Sequence, residues 1–141
     1  MSAGPAVAVA MTFGWLGMVL AISFLEAPLK FRAPGVTVPI GLGIGRLVFR
    51  ALNTVELVLA LALVVVAVLG AVPATAVVAG AVAIVVLLAQ LSLVRPRLSR
   101  RSDAVLAGGD APRSPGHLAY VALEIVKVAA LVFTGVALLT A

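Results

Sequence analysis

Four long apolar runs alternate with two short basic stretches and one uncharged turn. Residues 6–25 are apolar apart from Thr12 and Ser23, and polarity then enters abruptly in FLEAPLKFRAPGVTVPIGLGIGRLVFRALNTVE, Phe24 to Glu56. Hydrocarbon resumes to Leu69, breaks at the uncharged GAVPAT, and returns from Ala76 to Val94. The one plainly hydrophilic stretch, RPRLSRRSDAVLAGGDAPRSPG, precedes a last apolar run to Leu139. About 20 apolar helical residues cross a bilayer core about 30 Å thick. The pattern therefore predicts an all-α polytopic membrane protein, a single-domain four-transmembrane-helix bundle. Its spans fall over about 6–27, 41–69, 76–94 and 116–139, with cytoplasmic connections over about 28–40 and 95–115.

Proline and glycine punctuate these runs. Pro28 removes a backbone donor and is expected to kink or end the first helix; Pro34 and Pro39 keep 30–39 from forming a regular helix. Pro96 is expected to end the third helix or open the following loop, whose Ser, Gly, Pro and Asp content reads as solvated. Pro115 suits a helix start with Ser114 as its N-cap. Gly41, Gly43 and Gly45 alternate without the preceding strand that a nucleotide fingerprint requires, so they read as close packing at a helix start. Gly14, Gly17 and Ala21, and again Ala76, Ala79, Gly80 and Ala83, are spaced for close helix contact. No Lys or Arg precedes Lys30, so the first run reads as an uncleaved span and not as a signal peptide. Trp15 falls mid-span, which directs its indole N–H into the bundle.

Composition agrees with the pattern. Hydrophobic residues make up 64% and charged residues 11%, against roughly 45–50% and about 25% in soluble chains, and the mean hydropathy is +1.29. With no cysteine among 141 residues, disulfides, thiolate metal sites and cysteine nucleophiles are excluded. The net charge of +5 has no nucleic-acid motif beside it and sits at span ends, where basic residues set topology and meet anionic lipid. Lys30, Arg32, Arg46, Arg50, Arg95, Arg97, Arg100, Arg101 and Arg113 gather on the first and third connections and adjoining span ends. The positive-inside rule then puts both basic connections in the cytoplasm and both termini outside.

On this topology the polar residues collect toward the cytoplasmic side. Glu26 closes the first span; Arg46, Arg50, Asn53 and Glu56 enter along the second; Gln90 lies near the end of the third; His117, Tyr120, Glu124 and Lys127 run inward along the fourth. At about 100° per residue, the last four share an arc of roughly 80° and the second-span four one of roughly 120°. Lys127 lies roughly 17 Å inside its helix, too deep to reach the interface easily, and needs Glu124 or Glu56 as partner. Intramembrane ionisable groups point to function unless shown otherwise. The expected site is a pocket in which Arg46, Arg50, Asn53 and Tyr120 hold an anionic lipid or small solute. Glu26, Glu56, Gln90, His117, Glu124 and Lys127 form the buried polar network beneath it, where carboxylates beside a lysine can exchange a proton. The alternative is a structural or accessory subunit whose ion pairs only fix helix packing.

Other chemistries find less footing. A metal site would draw on Glu26, Glu56, Glu124 and His117, but the Glu-x-x-His pairs of di-iron bundles are missing. Serine–histidine catalysis would require Ser23 or Ser92 near His117, and neither stands in a nucleophile motif. No catalytic residue, metal or cofactor is therefore expected. The expected partners are membrane lipids and either a second copy, packed through small-residue faces, or a membrane-complex partner docked on the polar face, with no nucleic acid.

The segments FLEAPLKFRAPGV, Phe24 to Val36, then GIGR, Gly43 to Arg46, and FRALN, Phe49 to Asn53, resemble a motif of an uncharacterised family of small four-helix bacterial inner-membrane proteins. The AP-x-x-F element after the first span is similar to a broader four-helix family. The resemblance lies within residues 24–53, about a fifth of the chain. It implies a bacterial inner-membrane location and brings no activity with it.

Overall fold

The computed structural model describes residues 1–70, 72–108 and 115–141. Four helical runs account for most of them, and no strand occurs among the described residues. We label these α1 (Ala3–Arg32), α2 (Val38–Leu69), α3 (Ala74–Leu106) and α4 (Pro115–Leu139). All four are long and apolar enough to cross a membrane. Their outward faces carry Leu61, Val68, Val78, Val85 and Phe133 in the open, as lipid-facing surfaces do. The all-α four-helix bundle is thus present.

α4 packs most extensively on α3 and then on α1, and α1 also packs on α2. A central core of Trp15, Leu16, Val19, Ala60, Ala83, Leu87, Ala130 and Leu131 draws on all four helices. A smaller cluster of Ala8, Ala76 and Leu138 closes the end near both termini. Small residues set the α3–α4 approach. Ala76 and Ala83 are buried there, and a Cβ on Gly80 would lie 3.8 Å from the Thr134 methyl. By contrast, Gly14, Gly17 and Ala21 lie exposed, with open space over both glycines. The second predicted face therefore packs within the bundle and the first points outward.

Two helices run further than their prolines suggest. α1 continues through Pro28 to Arg32, and α3 through Pro96 to Leu106. Each proline is preceded by a π-turn, Leu20–Glu26 in α1 and Gln90–Val94 in α3. In each, the residue before proline donates to the carbonyl five back, Ala27 to Ile22 and Arg95 to Gln90. The widened turn relieves the clash that a proline ring makes with the carbonyl four residues earlier, so the helix bends onward without ending.

The expected loop 95–115 is accordingly helical over Arg95–Leu106. Leu98, Arg101, Ser102 and Val105 form a half-buried stripe at helical spacing, and this extension rests on α2. It ends in a left-handed Gly108, φ 88°, with Ala107 N–H bonded to the Asp103 carbonyl. The expected loop 28–40 shrinks to residues 33–37. There Pro34 and a left-handed Gly35, φ 82°, take the centre of a turn closed by Val36 N–H to the Ala33 carbonyl. Thr37 caps α2, its hydroxyl accepting from Ile40 N–H at 3.4 Å. The expected N-cap of α4, Ser114, lies outside the described residues.

Candidate functional site

Lys127 is the centre of the buried polar network and is fully buried. Its ammonium donates to Glu56 Oε2 at 2.5 Å and Gln90 Oε1 at 2.9 Å, and pairs with Glu124 Oε1 at 2.6 Å. The three bonds reach α2, α3 and its own helix. α1 completes the set: Trp15 Nε1 donates to Glu56 Oε2 at 2.8 Å, and the Ser23 hydroxyl donates to Glu124 Oε2 at 2.7 Å. Gln90 Nε2 donates to Glu124 Oε1 at 3.3 Å and to the Tyr120 carbonyl at 3.4 Å. An ammonium with three acceptors and a carboxylate with three donors is what burial of such charges requires.

The π-turns deliver part of this arrangement. Ser23 lies within the π-turn of α1 and Gln90 opens that of α3, and both bond Glu124. The wider turn also brings Gln90 and Arg95, five residues apart, toward the same side of α3. A π-turn at such a place is a common mark of a functional site.

Above the network, toward the end of the bundle that carries the basic residues, lies a layer of cations on aromatic rings. The Arg95 guanidinium sits 4.9 Å from the Phe49 ring centre and 4.7 Å from that of Tyr120. The two rings meet edge to face at 5.9 Å. Lys30 Nζ lies 5.7 Å from the Phe49 ring and 5.6 Å from that of Phe31, and 3.8 Å from Glu26 Oε2. Desolvated contacts of this kind hold a cation in place by the ring quadrupole. They leave its N–H groups unsatisfied. Arg95 Nε and Nη2 and Tyr120 Oη are shut off from solvent and form no hydrogen bond of good geometry among the described residues, although the guanidinium and the Tyr120 hydroxyl lie close enough to interact with each other.

The alternating glycines admit this layer. A Cβ on Gly41 would run into the Phe31 ring, and one on Gly45 would come within 3.0 Å of Lys30 Nζ. Gly43, on the other side of α2, has nothing within 4 Å. Two of the three glycines thus let the end of α1 lie against the start of α2.

The residues singled out from sequence divide accordingly. Glu56, Gln90, Glu124 and Lys127 meet in one network, Asn53 is buried on α2 nearby in sequence, and Tyr120 joins the aromatic layer. Glu26 stays at the end of α1 beside Lys30. Arg46 turns to the α3 extension and pairs with Asp103 at 2.5 Å. Arg50 and His117 are exposed. Ser92 is exposed and donates to the Leu88 carbonyl. Among the described residues, no three His, Asp or Glu side chains are grouped as metal ligands would be.

Sequence reasoning passed over Arg95, Lys30 and Phe49. Arg95 had been assigned to a loop because Pro96 follows it. The available signal was the i, i+4 pairing of Gly41 and Gly45, which leaves room over α2 for Phe31 and Lys30; nothing comparable marks Arg95 or Phe49. Comparison with protein-family models, curated proteins and solved structures finds no match to this chain.

Proposed function

We propose that this is a multi-pass protein of the bacterial inner membrane, with its basic end in the cytoplasm. In this reading it binds an oxyanion, carried by a lipid headgroup or a small solute, at the layer formed by Lys30, Phe49, Arg95 and Tyr120. One observation carries the reading. The Arg95 guanidinium is held on two rings with Nε and Nη2 forming no hydrogen bond of good geometry among the described residues. Leaving a charged donor unsatisfied is unfavourable, and a phosphate or carboxylate oxygen entering beside it supplies the missing acceptor. Exposed Arg32, Arg50, Arg97 and Arg100 at the same end add attraction for anionic headgroups. Arg46 contributes less, because Asp103 already neutralises it.

Native mass spectrometry tests this on the full chain after exchange into phosphatidylglycerol or zwitterionic phosphatidylcholine. Wild type is expected to retain phosphatidylglycerol, Arg95→Met to lose it, and Arg46→Met to keep it. Displacement by inorganic phosphate would identify a small solute as the natural occupant. Equal retention of both lipids, or unchanged retention in Arg95→Met, removes the reading. A scaffold role is favoured instead by Lys127, whose bonds tie α2 and α3 to α4; on that reading no lipid is held selectively.

A further inference from the structure

Glu56 is fully buried, and its two oxygens are treated differently. Oε2 accepts from both Lys127 and Trp15, whereas Oε1 finds no partner among the described residues. Glu124 has both oxygens bonded, Oε1 to Lys127 and Gln90 and Oε2 to Ser23. With every group ionised, two carboxylates share one ammonium, leaving one excess negative charge in a water-poor interior. Such a charge is strongly disfavoured unless a proton or cation neutralises it.

Other charged groups pair elsewhere or lie exposed, Arg50 on α2 and His117 on α4 among the exposed. On α1, Glu26 and Lys30 face each other. On α2, Arg46 pairs with Asp103 of the α3 extension. On α3, Arg95 rests on Phe49 and Tyr120; on α4, Tyr120 presents its ring to Arg95. A proton on Oε1 would remove the excess charge and turn an orphan acceptor into a donor.

We propose that Glu56 is a reversible proton-binding site, its Oε1 taking a proton from hydronium while Glu124 keeps its bond to Lys127. The step is a simple acid–base exchange in which hydronium gives up a proton and becomes water. The half-buried Ser23, bonded to Glu124, is the member of the network closest to the surface. This site stands whether or not an oxyanion binds above it.

Trp15, the only tryptophan, donates to the same carboxylate and reports its charge. Its fluorescence in the purified full chain is expected to change reversibly with pH over a range in which circular dichroism stays constant. Glu56→Gln should abolish the transition. Lys127→Met, which removes the neighbouring cation, should move the midpoint up by about one pH unit or more, and Glu124→Gln should move it down. A flat wild-type titration, or a transition that survives in Glu56→Gln, overturns the proposal. Should Glu56→Gln fail to fold, infrared spectroscopy of wild type decides instead. The difference across the fluorescence transition should contain the high-frequency carbonyl stretch of a carboxyl buried away from water, which exposed carboxyls do not give, and a spectrum without it overturns the assignment equally.

Discussion

Lys127 donates to acceptors on three helices from a position closed to solvent. Removing it strands two carboxylates, and breaking a buried pair from one side costs about 3–5 kcal/mol. Lys127→Met is therefore expected to lower the thermal midpoint of the detergent-solubilised protein sharply. The triple replacement Glu56→Gln, Glu124→Gln, Lys127→Met should recover most of the loss, since it leaves no uncompensated charge. If the triple variant unfolds as early as the single one, the network does not act through charge pairing. This part of the site was legible in the sequence because depth leaves a lysine few choices of partner. The cation–aromatic layer was not. Arg50 shares a predicted stripe with Glu56 yet is exposed, since a long cationic side chain can carry its charge away from the bundle interior.

At the scale of elements, periodicity located all four helices but misjudged what stops them. Pro28 and Pro96 bend α1 and α3 through π-turns, a solution that residue identity does not announce, since an ordinary helix end and a widened turn follow from the same missing N–H. Arg95–Leu106 was masked by its polarity, although Leu98 and Val105 keep helical spacing toward α2. The glycines of α2 offer a comparison within one turn. Gly41→Ala is expected to destabilise by about 1–3 kcal/mol, because its Cβ meets the Phe31 ring and overpacks the contact. Gly43→Ala, with open space above it, should be neutral or stabilise by up to about 1 kcal/mol through helix propensity. Chemical denaturation of the two variants side by side measures the difference. Equal effects would mean that the end of α1 does not rest on α2.

For the whole molecule, reporter fusions at each terminus test the orientation: both are expected to signal from outside the cytoplasm, and a cytoplasmic signal from either end reverses the charge-based assignment. The order in which the chain is made adds a constraint of its own. Glu124 and Lys127, three residues apart and 2.6 Å from each other, are expected to enter the bilayer already paired on one helix. Glu56 has no such companion on α2, and its ammonium lies 71 residues further along the chain. Within the first hairpin, Trp15 is the residue whose side chain the folded structure bonds to Glu56. Trp15 is thus expected to hold Glu56 until Lys127 arrives, and the last span to be made completes what the first two began.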